Sequence, residues 1–286
     1  LPVAVWADAS ITGHCDAMKP ACGPNVDPHI TFMAGLSSWR STRHLSGRPL
    51  KIELKGVVII VGNYGSGKTE VAINLAAHRK RGGMNVRIAD LDVVNPYFRT
   101  REARGPLADL GIEVILPPAQ YLQADLPVLS PEVAGIIRKP GQLTLLDVGG
   151  DDAGATILAS LEDALNEISP RVLQVVNPSR PFTETREGCL KIRDAIEKAS
   201  KLKISGIIGN ANLIDETVPD DIYDGYSFVR DLSEHSGLPL EFITVARALM
   251  PSVDLHRFAC PVLPIDRQLV PPWQKRAEFG RPVASE

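Results

Sequence analysis

Gly62-Asn63-Tyr64-Gly65-Ser66-Gly67-Lys68-Thr69 matches GxxxxGK[ST] at every defined position, and its neighbours give the match its meaning. Before it stands Val57-Val58-Ile59-Ile60-Val61, an unbroken β-branched run of the kind a strand buried on both faces requires. After it, Lys68 to Arg81 carries Val71, Ala72, Leu75 and Ala76 at helical spacing and closes on Gly82-Gly83. Strand, glycine loop and helix together predict a phosphate cradle. Glycines at 62, 65 and 67 let the backbone fold around an anion without Cβ clashes. Backbone N–H groups and the helix start then point at the phosphates, which makes Gly62 through Glu70 the expected cofactor contact, Asn63, Tyr64, Ser66 and Glu70 included. Lys68 is expected to reach the β and γ oxygens, and the Thr69 hydroxyl to bind Mg²⁺.

Outward from this unit the alternation continues. Strands are predicted at 86–90, 112–116, 143–147, 172–176, 204–208 and 241–245. Helices are predicted near 100–110, 131–138, 155–168, 183–200, 220–236 and 251–258. Strands alternating with helices mean βαβ units, right-handed crossovers and an α/β fold, a mostly parallel sheet flanked by helices in three layers. In such a sheet the active residues gather at the carboxyl ends of the strands.

The polar clusters fall at those ends. Leu143-Thr144-Leu145-Leu146-Asp147 is an apolar strand ending in an acid, so Asp147 is the predicted metal residue opposite Thr69. Gly149-Gly150 follows, and the spacing from Asp147 lets the Gly150 N–H approach a γ-phosphate and sense its loss. Asp90-Leu91-Asp92 closes the strand before that. Asp92 is the candidate for orienting an attacking water, a catalytic role beside Lys68, whereas Asp90 is read as a metal-shell or structural acid. Asn95-Pro96-Tyr97-Phe98-Arg99-Thr100-Arg101-Glu102 then offers Arg99 and Arg101 to an anionic second substrate or to the charge on a transferring phosphoryl group. The alternative is that Arg99, Arg101 and Arg104 form the solvated face of a helix start.

At a later strand end stands Gly209-Asn210-Ala211-Asn212, where Asn210 is placed to bond a purine ring. Asn212 and Asp215 have NxxD spacing but lack the lysine usual at the second position, and Asn210 lies closer to the strand end. The reading therefore favours ATP over GTP. Asn177-Pro178-Ser179-Arg180-Pro181-Phe182 follows another strand and either shapes the cofactor side or is a plain turn.

The whole chain sets the bounds. Its 286 residues suffice for one large α/β domain or two small ones, and 44% hydrophobic with 23% charged residues is ordinary globular composition. A net charge of −3 gives no footprint for general nucleic-acid binding, and no apolar run is long enough to span a bilayer. Cys15, Cys22, Cys189 and Cys260 form no CxxC pair, and Cys15 and Cys22 with His14 fit no common zinc spacing. Reduced cysteines in a cytoplasmic protein are expected. Residues 1–50 show no sustained period and no ordered secretory signal, so they read as an irregular, poorly ordered extension. Residues 51–269 read as the nucleotide-binding domain and 270–286 as an irregular tail.

The motifs "GNYGSGKTE", "DLDVVNPYFR", "DVGGDDAGA", "VVNPSRPFT" and "GNANLIDET" together resemble the MinD/ParA/cobyrinic-acid-synthase (SIMIBI) class of phosphate-loop proteins, in an uncharacterised bacterial ATP-binding branch. The resemblance covers roughly Gly56 to Trp273 and implies a mostly parallel sheet, Mg-ATP, and often a homodimer sandwiching nucleotide. Dimeric members carry a lysine at the second loop position. Here Asn63 stands there, with Tyr64 in place of a glycine, so hydrolysis activated by that lysine is not implied. No terminal amphipathic membrane helix and no basic DNA-binding patch is present. Three functions stay open: a slow ATPase switch read by a protein partner, a kinase or ligase acting on a small anion, and a binding module with negligible turnover.

Overall fold

The computed structural model describes residues 51–92, 99–116, 131–150, 152–271 and 273–280. The expected extension at 1–50, with Cys15, Cys22 and His14, lies outside them, as do Asn95 to Phe98 and the end of the tail.

Eight strands form one sheet: β1 (Gly56–Gly62), β2 (Val86–Leu91), β3 (Glu113–Ile115), β4 (Leu143–Val148), β5 (Arg171–Val176), β6 (Gly206–Gly209), β7 (Leu240–Ala246) and β8 (Val262–Ile265). Their order across the sheet is β3-β2-β4-β1-β5-β6-β7-β8, with every pair parallel. The α/β reading from sequence is what the chain adopts, a three-layer phosphate-loop fold. Among the described residues seven α-helices accompany the strands: α1 (Lys68–Arg81), α2 (Arg104–Asp109), α3 (Pro131–Arg138), α4 (Asp152–Ala159), α5 (Glu162–Asn166), α6 (Arg186–Ser200) and α7 (Pro219–Ser236).

Alternation along β1 shows how the layers form. Val58 and Ile60 join one core with Val71, Ala72, Leu75 and Ala76 of α1, while Val57, Ile59 and Val61 join the opposite core with residues of α3, α4, α5 and α6. All five are buried, as a strand covered on both faces must be. Chain order reverses on either side of β1, with β4 on one flank and β5 on the other. That switch point opens a crevice at the carboxyl ends of the strands, under the glycine loop.

Several elements differ from the sequence reading. The helix expected at 251–258 is a pair of 3₁₀ turns, Arg247–Ser252 and Leu255–Arg257, with Pro251 inside the first. The helix expected over 155–168 is two, α4 and α5, separated at Ser160-Leu161. The helix expected at 100–110 opens as a 3₁₀ turn, Thr100–Ala103, before α2. β8 was not anticipated. Its sequence, Val262-Leu263-Pro264-Ile265, contains a proline that an outermost strand tolerates and a central one does not.

Two helical glycines give opposite expectations. A Cβ on Gly225 of α7 would lie 2.2 Å from Ala211 Cβ, in the turn that follows β6, whereas nothing lies within 4 Å of one on Gly135 of α3. Gly135→Ala is expected to stabilise the protein by about 0.5–1 kcal/mol through helix propensity alone. Gly225→Ala is expected to destabilise it by about 1–3 kcal/mol net, because the overlap outweighs the same propensity gain. Urea unfolding midpoints of the two variants check both signs.

Candidate functional site

The phosphate loop takes its shape from its glycines. Gly65 and Gly67 have φ of +72° and +84°, and Gly62 has +153°. A Cβ on Gly62 would sit 2.6 Å from Val175 O of β5, and one on Gly67 would sit 2.3 Å from Asn210 Nδ2. Val71 N donates to Gly67 O as the first backbone bond of the α1 ladder, and Gly67 supplies no side-chain cap. The start of α1 thus faces into the loop, the arrangement an anion completes.

The loop is held from behind. Asn210 Nδ2 donates to Ser66 O at 2.7 Å, and Thr244 Oγ1 of β7 donates to Asn210 Oδ1. The asparagine expected at the purine ring is therefore hydrogen-bonded at both ends of its amide inside the protein, as a clamp on the loop. Asn63 Nδ2 donates to Pro181 O at 3.1 Å, tying the loop's outer strand to the turn after β5. Tyr64 points outward, 70% exposed.

Glu70 departs from the cofactor contact expected of it. Its carboxylate accepts from Gln268 N at 2.8 Å, Leu269 N at 3.0 Å and Asn74 Nδ2 at 2.9 Å, which turns it from the phosphate side toward the segment after β8. Only its backbone N–H is left to serve the loop. Burial pushes its carboxyl up to about 7 against these three donors and Arg267.

The acids meet where β2 and β4 end. Asp90 and Asp147 are register partners on these adjacent strands, and both are buried. Asp147 Oδ2 accepts from Thr100 Oγ1 at 2.7 Å, while Oδ1 is buried without a hydrogen-bond partner among the described residues. Burial first, then the neighbouring Asp90 charge, raises the Asp147 carboxyl to about 7; Lys68 and the Thr100 bond pull the other way. A buried carboxylate oxygen without a donor, within the field of Lys68, fits a bound cation.

Asp90 is structural. Its Oδ2 accepts from Arg101 Nε at 2.7 Å and Arg101 N at 3.1 Å, and its Oδ1 from Asp92 N at 3.1 Å. Arg101 Nη2 also donates to Asp92 O at 3.1 Å. Arg101, which the sequence offered to an anionic substrate, lies against the buried Asp90 and supplies the counter-charge that this acid needs. Arg99 is buried as well, its backbone N–H donating to Glu102 Oε1 at 3.1 Å, so it does not project from an open loop. Thr100, which the sequence reading passed over, is the residue that reaches Asp147. A lone threonine between two arginines gave no signal.

Gly149 and Gly150 bring this acid group against the phosphate loop. A Cβ on Gly150 would lie 2.7 Å from Lys68 Nζ and 2.9 Å from Tyr64 N, and one on Gly149 would lie 3.0 Å from Asp92 Oδ1. Lys68, Asp92, Asp147 and Gly150 are therefore brought together. At the base end, Asn212 Oδ1 accepts from Ile214 N at 2.7 Å and Asp215 pairs with Arg267 at 3.2 Å, so the NxxD pair is occupied locally.

The raised carboxyls set a pH dependence. Glu70 is held above the ordinary carboxyl value of 4.5, so the folded state binds the proton more tightly and stability falls as pH rises from about 4.5 through about 7. The fall attributable to Glu70 is on the order of 3 kcal/mol. Urea titrations across pH 4.5–8 are expected to show a shallower fall in Glu70→Gln than in the native chain.

No known family's sequence profile matches this chain, and no curated protein matches it. Among solved structures, the chain is similar to cell division protein FtsY from Thermotoga maritima, at 18% identity and a TM-score of 0.49 over 69% of this chain and 64% of that one. FtsY from Mycoplasma mycoides gives 23% identity and a TM-score of 0.45 over 69% and 62%. The signal recognition particle 54 kDa protein from Aeropyrum pernix K1, solved in complex with GDP, gives 20% and 0.44 over 68% and 42%. This chain thus spans less than two thirds of the length of each. Among the described residues no helix is long and apolar enough to cross a membrane.

Proposed function

We propose that this chain binds a Mg²⁺–nucleoside triphosphate, with ATP as its nucleotide, and acts as a slow ATPase switch read by a protein partner in the cytoplasm. The observation that carries the reading is the direct apposition of Gly150 to Lys68 and Tyr64, with Gly149 against Asp92. A terminal phosphate held by Lys68 must press on the Gly149–Gly150 turn, so its arrival and loss are transmitted to that turn and to α4 beyond it.

Lys68 supplies charge to the phosphates, Asp147 and Thr69 hold the cation, and Asp92 orients the water. Bound Mg²⁺ would neutralise the charge that develops on the phosphoryl oxygens. Asp92 is suited to its part because it is buried beside Gly149 and its backbone is fixed by Asp90. Thr100 holds Asp147 by one oxygen and leaves the other for the cation.

The kinase or ligase reading loses support from Arg101, whose guanidinium is committed to Asp90. The ATP preference draws on the NxxD residues, since Asn212 caps its own turn and Asp215 pairs with Arg267. Nothing in the chain reproduces the lysine of the dimeric MinD/ParA members, because Asn63 is tied to Pro181 of its own chain. Placement within that narrower group rests on the motif order alone, and a nucleotide-sandwich homodimer would need another residue for that lysine's task.

Purified protein is expected to bind Mg-ATP more tightly than Mg-GTP in competition calorimetry and to hydrolyse it slowly. Lys68→Ala should abolish both. Asp92→Asn should lower turnover about 100-fold while leaving affinity within a few-fold; equal turnover in the two proteins would remove Asp92 from the chemistry. Binding without any turnover in the native chain would leave the module reading instead.

Cation binding requires the ionised form of Asp147, which is held up to about 7 in the free protein. Mg-ATP binding at pH 6.5 is therefore expected to release up to about one proton, and less at pH 8. Calorimetry in buffers of different ionisation enthalpy measures this, and Asp147→Asn should remove the release.

A further inference from the structure

The turn after β5 carries an arginine that none of the roles above employs. Arg180 N donates to Asn177 O at 3.2 Å, and Arg180 O accepts from Thr183 N at 3.2 Å and Thr183 Oγ1 at 3.1 Å, so its backbone is fixed. The next residue, Pro181, accepts the Asn63 bond that latches this turn to the phosphate loop. A Cβ on Gly65 would meet Arg180 Cδ, at 4.0 Å, and no other atom within that distance. The aliphatic stem of Arg180 therefore comes up to the loop at Gly65 with its Cδ, one bond short of the guanidinium.

That guanidinium is under-used. Arg180 Nε is buried and has no hydrogen-bond partner among the described residues, and no ion pair there includes Arg180. The contrast with other arginines is direct: Arg101 is paired with Asp90, and Arg247 holds Asp266 through two bonds, at 2.5 and 2.8 Å. A buried cationic donor without an acceptor is costly, and the oxygens of a phosphate chain are the acceptors its planar fork matches best.

We propose that Arg180 is a phosphate-contacting residue of the nucleotide site, a second fixed cation that reaches the bound phosphate chain from beside Gly65. This rests on the triphosphate reading above. It gives the loop, within one chain, a positive group beside Lys68 at the flank where Asn63 supplies only a neutral amide. It also gives the Asn63–Pro181 bond a purpose, since that bond keeps the arginine in register with Gly65.

The test is Arg180→Met, which keeps an apolar stem against Gly65 and removes every donor, alongside Arg180→Lys and Lys68→Ala. Calorimetry with Mg-ATP and Mg-ADP and steady-state turnover are measured on the full chain. The expected result is a loss of about tenfold or more in Mg-ATP affinity or turnover for Arg180→Met, part of it recovered in Arg180→Lys, with the unfolding midpoint of the nucleotide-free protein unchanged or raised. Affinity and turnover within twofold of the native chain would overturn the assignment, as would a loss accompanied by a matching fall in nucleotide-free stability, which makes Arg180 a prop. If the native chain itself binds no nucleotide, the triphosphate reading falls and this one with it. If it binds and only Arg180→Met is silent, this one falls alone.

Discussion

Two carboxylates stand abreast at the ends of neighbouring parallel strands, both buried, and much of the site follows from that. Asp90 and Asp147 cannot both be charged there without answering groups, because burial and like charge each disfavour ionisation. Arg101 answers Asp90, and Thr100 and Lys68 answer Asp147 in part. To deliver Thr100 and Arg101, the chain after β2 must return across the strand ends as a 3₁₀ turn before α2 begins. The division of labour is chemical. One acid is hydrogen-bonded through both oxygens and serves as framework, and the other keeps one oxygen without a partner among the described residues, the one the proposed cation would take.

What the sequence made legible was local. The phosphate loop, β1 and α1 form a contiguous segment whose glycines, β-branched run and helical spacing report directly on backbone geometry, and the structure builds them within a residue of expectation. The strand that carries Asp147 was readable because it is an unbroken apolar run closed by an acid. Contacts closed over long separations were not readable. Glu70 meets Gln268 and Leu269 across nearly two hundred residues, and Asn210 meets Ser66 across 144. Each looked like a ligand contact because polar side chains beside a binding motif are the ones a ligand would use. β8 and the 3₁₀ turns before it were hidden by Pro251 and Pro264, which break the periodicities that mark helices and strands.

The loop is braced on three sides by residues from distant parts of the chain. Asn210 and Thr244 hold its floor, Pro181 holds its outer strand through Asn63, and Gly150 lies over Lys68. A glycine-rich segment has much backbone freedom to lose, so bracing of this sort lowers what an anion must spend on ordering it. The same braces link the loop to β5, β6, β7 and the turn after β4, and so spread any movement of the loop through the carboxyl edge of the sheet.

The carboxylate of Glu70 has a consequence for how the molecule is made. It lies in the first turn of α1, yet its two backbone partners at Gln268 and Leu269 follow β8, nearly two hundred residues later in the chain. While the chain is emerging, that carboxylate has water for company and α1 packs on an unfinished sheet. Only when the segment following β8 arrives is the carboxylate enclosed. Maturation of the helix that carries Lys68 and Thr69 is thereby timed to the completion of the sheet rather than to its beginning.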